Sequence, residues 1–155
     1  MHTLVLGIGN TLLADEGVGV HAIHYLSQHH NDLPDTDFID GGTLSFTLAG
    51  PIEDADNLIV IDAAQLHDSP GTVKTFIGEE MDAFLISNNK RSVHEVGLMD
   101  LMTVARLADH LPQRRALIGI QPQKIDWGES PTDDVQAAIP SICEKVRQLI
   151  QEWRT

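Results

Sequence analysis

The sequence predicts an α/β fold, a three-layer sandwich built on a five-stranded, mostly parallel twisted sheet with one antiparallel edge strand and helices on both faces. Three observations lead there. Short apolar runs alternate with longer segments of helical period, the runs end in small or acidic residues, and one connection is too short to hold a crossover helix. With 155 residues, 42% of them hydrophobic, the chain has the length of one ordinary domain, and a single domain over residues 1–155 is expected.

The first strand is expected at Thr3–Ile8 (TLVLGI), followed by a helix from about Gly17 to His29 that turns Val20, Ile23 and Leu26 to one side. Asp37–Asp40 (DFID) reads as a second strand. A short helix is expected over Ser45–Gly50, stopped by Gly50-Pro51, and a third strand at Leu58–Asp62 (LIVID). The segment Asp62–Gly71 (DAAQLHDSPG) is turn-rich and short, so Thr72–Ile77 behind it should be a strand antiparallel to its predecessor. A helix over Val96–Leu111 carries Leu98, Leu101, Met102, Ala105 and Leu107 or Ala108 on its apolar side, and Arg115–Ile120 (RALIGI) is the last strand. In the C-terminal helix Val135, Ile139, Ile142, Cys143, Val146, Leu149, Ile150 and Trp153 keep the spacing of one apolar face. Thr132 is its expected N-cap, Asp133 and Asp134 suit the helix dipole, and Pro140 should kink the helix without ending it, because the stripe continues in register.

Charge excludes several partners. Asp and Glu number 23 against 10 Lys and Arg, a formal net charge of −13, and the first Lys or Arg is Lys74, after eleven carboxylates. Such a chain repels a phosphate backbone and anionic lipid headgroups, so neither nucleic acid nor membrane is an expected partner. One cysteine, Cys143, rules out an intramolecular disulfide and a cysteine-held metal cluster. The apolar run at Thr3–Gly9 lacks a preceding basic residue and no stretch reaches membrane-spanning length, which leads to an expectation of a cytoplasmic protein.

In open α/β sheets function gathers beyond the carboxyl ends of the strands. Those ends deliver Asn10, Asp15 and Glu16, then Asp40 with Gly41, Gly42 and Thr43, then Asp62; the segment SVHEVGL at 92–98 adds His94. Glu16, Asp62 and His94 form an O,O,N set able to hold zinc, nickel, iron or manganese with positions left open. Each has a plainer reading: Asp62 and Asp40 could cap turns, Asp15 could cap the helix it precedes, and His94 could be a loop histidine. The Gly7-Ile8-Gly9 start of a dinucleotide fingerprint fails at Leu12, and no Walker lysine follows, so no nucleotide cofactor is expected. The zinc-protease helix motif fails because Leu98 stands four residues beyond His94. The pairs His21/His24 and His29/His30 read as solvated. No Gly-x-Ser-x-Gly elbow is present, Ser69 and Ser92 lack a signature, and Cys143 lies on an apolar stripe, so nucleophilic catalysis has little support.

The segments GIGNTLLADEGVGV at 7–20, IDGGT at 39–43, IVIDAA at 59–64, SVHEVGL at 92–98 and IGIQP at 118–122 occur in an order and at a spacing that resemble the hydrogenase maturation endopeptidases over nearly the whole chain. The resemblance implies removal of a C-terminal extension from the large-subunit precursor of a nickel-iron hydrogenase after nickel insertion. It also implies that Glu16, Asp62 and His94 are the metal-contacting and catalytic positions and that nickel arrives on the precursor; a monomer is the simplest expectation for an enzyme meeting a large folded partner. Asp40, Gly41, Gly42 and Thr43 would help to position the substrate. Glu16, where some relatives carry Asp, points to the branch serving uptake-type hydrogenases, and Gly78–Arg91 is expected to face the precursor. A nickel-checking chaperone that does not cut, and a zinc-dependent hydrolase of small molecules, are the competing readings.

Overall fold

The apolar runs segregate by side-chain parity, and that parity builds the layers. A computed structural model describes residues 1–88 and 93–154, with residues 93–96 described by their backbone alone. The strands are β1 (Thr3–Ile8), β2 (Thr36–Gly42), β3 (Asn57–Ala63), β4 (Val73–Ile77) and β5 (Arg114–Ile120), and the helices α1 (Val18–His29), α2 (Ala49–Asp54), α3 (Glu79–Asn88), α4 (Val93–Leu107) and α5 (Asp133–Trp153). Single 3-10 turns cover Ala14–Gly17 and Phe46–Leu48. The strand order is β2-β1-β3-β5-β4, all parallel except β4, which runs antiparallel to β5 at the edge.

Successive residues of a strand point to opposite faces, so each buried strand feeds two cores. Val5, Ile59, Ile61, Ala116, Ile118 and Ile120 pack with α1 and α5. Leu4, Leu6, Ile8, Leu58, Val60 and Leu117 pack with α2, α3 and α4. The three-layer α/β sandwich is therefore observed with its edge strand.

Several boundaries differ from expectation, each for a local reason. The short helix does not stop at Pro51; it runs to Asp54, because Pro51 is the third residue of α2, where a missing N–H breaks no intrahelical bond. β4 is not the neighbour of β3. β5 lies between them, and the turn-rich segment carries the chain past its place. α4 starts earlier than expected and ends at Leu107 rather than Leu111; Asp109 takes a left-handed φ of 60°, and Leu107 is 84% exposed. Most of Gly78–Arg91 forms α3, which periodicity missed because only Met81 and Leu85 are buried. Residues 89–92 lie outside the described residues. α5 continues through Pro140 to Trp153, and every residue of its predicted stripe is buried save Trp153, which is partly so.

α3 is fastened by charge rather than by a broad apolar face. Asp82 accepts hydrogen bonds from Arg115 Nε at 3.0 Å and Nη2 at 2.5 Å on β5, and from Arg106 Nη2 at 3.3 Å on α4. The Arg115 bonds above all hold the Asp82 carboxyl below its ordinary pKa, outweighing its burial. A depressed carboxylate stabilises the fold above its ordinary pKa, and this contribution is lost as pH falls through the lower folded value. Asp82→Asn is therefore expected to cost about 2 kcal/mol at pH 7, with variant and wild type converging in strong acid, as read by urea unfolding across pH.

Candidate active site

The chain leaves β1 for β2 on one side and returns through α2 to β3 on the other, so the carboxyl ends of β1 and β3 border the crevice where strand order reverses. Glycines let the first helical turns settle onto those ends. A Cβ on Gly19 of α1 would stand 2.2 Å from the Ile61 carbonyl oxygen of β3. One on Gly9, whose φ is +139°, would stand 1.9 Å from the Glu16 carbonyl oxygen. The 3-10 turn carrying Glu16 is thereby packed against β3, whose penultimate residue is Asp62. Glu16 is partly buried and Asp62 is 5% exposed.

The carboxyl end of β2, which extends through Gly42 rather than stopping at Asp40, closes the crevice from the other side. Asp40 Oδ1 accepts the Gly42 N–H at 2.9 Å in an Asx turn, and the Gly42 carbonyl accepts the Gly9 N–H at 2.8 Å, which joins this strand end to the loop after β1. Asp40 Oδ2 lies 3.6 Å from His24 Nε2, both side chains about half exposed. The backbone of His94 falls in the first turn of α4, three residues before Gly97, whose Cβ position would lie 3.3 Å from Leu44 of the β2 loop. The His94 side chain lies outside the described residues. A cavity of about 160 Å³ opens between Thr43, Leu44 and Phe46 on one side and Gly97, Asp100 and Leu101 on the other. A larger open cavity, about 620 Å³, lies at the opposite end of the sheet, where Asn57 and Arg114 begin their strands, and has none of the convergent loops.

Of the five non-glycine residues with left-handed backbone among the described residues, three lie one in each loop after β1, β2 and β3: Ala14 (φ 48°), Leu44 (φ 61°) and His67 (φ 56°). Strain of this kind persists only where surrounding contacts over-determine it, and it gathers at functional sites. Those contacts are present. Asn10 Oδ1 accepts the Leu12 N–H, and buried Gln121, just beyond β5, accepts the Leu66 N–H at 2.7 Å.

Asp15 departs most from the sequence reading. It caps no helix; it is fully buried and accepts the N–H groups of Gln123 (2.8 Å), Lys124 (2.9 Å) and Thr132 (2.7 Å), with the Thr132 hydroxyl at 2.8 Å. Thr132 does stand at the N-cap of α5, yet its hydroxyl goes to Asp15 instead of the helix. Burial raises the Asp15 pKa, and the hydrogen bonds, led by those from Lys124 and Thr132, outweigh it and bring the pKa below the ordinary value.

A family model described as hydrogenase maturation protease matches residues 20–149. The chain belongs to the hydrogenase maturation protease family. Its relatives include the hydrogenase expression/formation protein HupD of Rhizobium leguminosarum bv. viciae, 36% identical over 97% of this chain and 74% of that protein. The hydrogenase 2 maturation protease of Escherichia coli (strain K12) is 35% identical over 98% and 92%. The structure of the E. coli hydrogenase maturating endopeptidase HybD matches with a TM-score of 0.90 at 35% identity, over 98% of this chain and 93% of that one. The protein is thus a peptidase of hydrogenase maturation, and no helix among its described residues is long and apolar enough to cross a membrane.

For this maturation protease a thiol nucleophile is excluded on physical grounds, because Cys143 is fully buried in the core and burial pushes its thiol pKa up to about 12. Of the four histidines on and after α1, His24 and His29 are exposed as expected, while His21 and His30 are partly buried. His21 Nε2 has no partner among the described residues, and burial, then the nearby His24, lowers its pKa. Sequence reading missed Asp15 and Gln121 as loop anchors, since their partners are N–H groups more than fifty positions away. Asp15→Asn places an amide among donors and is expected to cost roughly 2–3 kcal/mol. Hydrogen exchange should rise first at Gln123, Lys124 and Thr132; unchanged protection there would contradict the assigned bonds.

Proposed function

We propose that this maturation protease removes a C-terminal extension from the large-subunit precursor of a nickel-iron hydrogenase after nickel has been inserted, with Glu16, Asp62 and His94 contacting that nickel. The observation carrying this reading is the convergence of Glu16 and Asp62 on the switch-point crevice, with the first turn of α4, which includes His94, beside the adjoining loop. Two carboxylates and an imidazole suit a borderline divalent ion and leave it open positions. The nickel is part of the substrate, and its contact with the trio sets where the scissile bond lies.

Hydrolysis adds water across the peptide bond. The water oxygen bonds to the carbonyl carbon, the C–N bond breaks, and the proton lost by water ends on the departing amine. A carboxylate of the Glu16 and Asp62 pair is the base within the crevice able to take that proton and return it. Bound nickel would supply polarisation of the carbonyl or the water. Asp40, Gly41, Gly42 and Thr43 form the wall across which the extension lies; their turn is held by its own Asx hydrogen bond before any substrate arrives. The reaction belongs in the cytoplasm, in keeping with the single cysteine of the chain, and requires no nucleotide.

Purified protein mixed with nickel-loaded precursor is expected to release one C-terminal peptide detectable by mass spectrometry, while nickel-free precursor resists. Binding without peptide release would make the protein a checking chaperone, and equal cleavage of the nickel-free form would refute the metal-positioning account. Glu16→Gln, Asp62→Asn and His94→Ala should each lower turnover by at least about 100-fold while melting within a few degrees of wild type.

A further inference from the structure

The loop between β5 and α5 combines two features that do not serve the fold together. Its backbone is held rigidly. The buried Asp15 carboxylate binds the N–H groups of Gln123, Lys124 and Thr132, and Asp15 N–H, Ala14 N–H and Gly128 N–H bond to the carbonyls of Lys124, Gly128 and Leu12 at 3.0, 2.8 and 2.9 Å. Yet its large apolar side chains point away from the core: Ile125 is 63% exposed and Trp127 71%. Leu12, joined to Gly128 through that last bond, is 53% exposed.

We propose that Leu12, Ile125 and Trp127 form an apolar ridge that docks into a depression on the folded body of the precursor. The proposal rests on the endopeptidase reading and adds a surface outside the metal-contacting trio. The ridge is continuous with the candidate site: Leu12 and Glu16 belong to one loop and turn, so a protein presenting a peptide bond to Glu16 passes over Leu12 and the segment bonded to it. Its chemistry is apolar rather than ionic. No Lys or Arg precedes Lys74, and between Gln121 and Pro131 the single cation Lys124 is outnumbered by Asp126 and Glu129.

Shape selects a folded partner over an extended peptide. Side chains that protrude fit a concavity in the other protein, whereas a peptide is gripped in a groove. Tryptophan is enriched among residues that dominate binding energy, and a backbone fixed before contact loses little entropy on docking. The bonds around Asp15 thus serve to hold the ridge ready.

Steady-state cleavage of nickel-loaded precursor tests this. The Ile125→Ser/Trp127→Ser double variant is expected to raise KM at least 10-fold while kcat changes less than 2-fold, and Leu12→Ser to raise KM about 3-fold; Trp127→Phe should recover most of the loss. Leu107→Ser, at a still more exposed leucine far along α4, is the control and should match wild type. A KM within 2-fold of wild type for the double variant overturns the ridge while wild-type cleavage leaves the endopeptidase reading standing; failure of the wild type to cleave overturns both. Because these side chains are exposed, all variants should melt with wild type, and a melting loss in Leu12→Ser and the double variant alike would assign the residues to the fold. Light scattering supplies the other outcome: a wild-type dimer dissolved by Ile125→Ser/Trp127→Ser gives the ridge to a second copy and overturns the proposal.

Discussion

A carboxylate taken out of water is costly unless donors replace its hydration, and Asp15 meets that condition with three backbone N–H groups and a hydroxyl. What the arrangement secures is shape. Asp15 and Glu16 are consecutive residues of a 3-10 turn, whose side chains diverge by about 120°, so anchoring the first orients the backbone of the second. One acid is turned into the protein as a fastening, and its neighbour is left on the partly buried side that borders the crevice. The same carboxylate unites the loop after β1 with the loop after β5, which are contributed by strands separated in the sheet by β3.

The sheet topology makes that union useful. α1 covers one face and α2 the other, so the chain diverges at β1 and β3 and leaves a gap between their carboxyl ends. Glycines at 9 and 19 allow the backbone of the next turn to fill the gap nearly to contact, and left-handed Ala14, Leu44 and His67 bend the loops around it. None of these conformations is favourable alone. Ala14 and Gly9 are held by hydrogen bonds from other loops, to Gly128 and Gly42, and Leu44 and His67 by bonds within their own, to Gly41 and Gln65, so the rim is a network standing on the sheet below.

Much of this was legible in the sequence, and the limits follow from range. Strand existence, the antiparallel edge and the α5 stripe depend on periodicities of two and 3.6 within a short window, and the chain states them plainly in Leu58–Asp62 or Val135–Ile150. The rim positions of Glu16 and Asp62 follow from strand ends. α3 was illegible because it is fastened by Asp82 to Arg115 and Arg106, a bond between distant residues that leaves no local pattern. Asp15 misled for a related reason: an acid before a helix reads as a cap, and only the fold brings Thr132, itself a cap by sequence, over its carboxylate. The place of β4 is not legible because a short connection fits an antiparallel neighbour of β3 as well as the arrangement present, in which β5 pairs with both β3 and β4.

The acidic first half of the chain bears on how such a site would discriminate. Two carboxylates and an imidazole, without thiolate, hold a divalent ion loosely compared with a cysteine site. An apolar ridge of three side chains is also a weak contact by itself. Carried on one precursor, the two would act as linked contacts, and once the ridge had docked the metal would meet its proposed ligands at a high effective concentration. Free nickel would gain only the first contact and an unloaded precursor only the second. On the proposed reading, selection for the loaded precursor would arise from requiring both at once, and it would depend on the ridge and Glu16 keeping a fixed separation, which the hydrogen bonds to Asp15 would maintain.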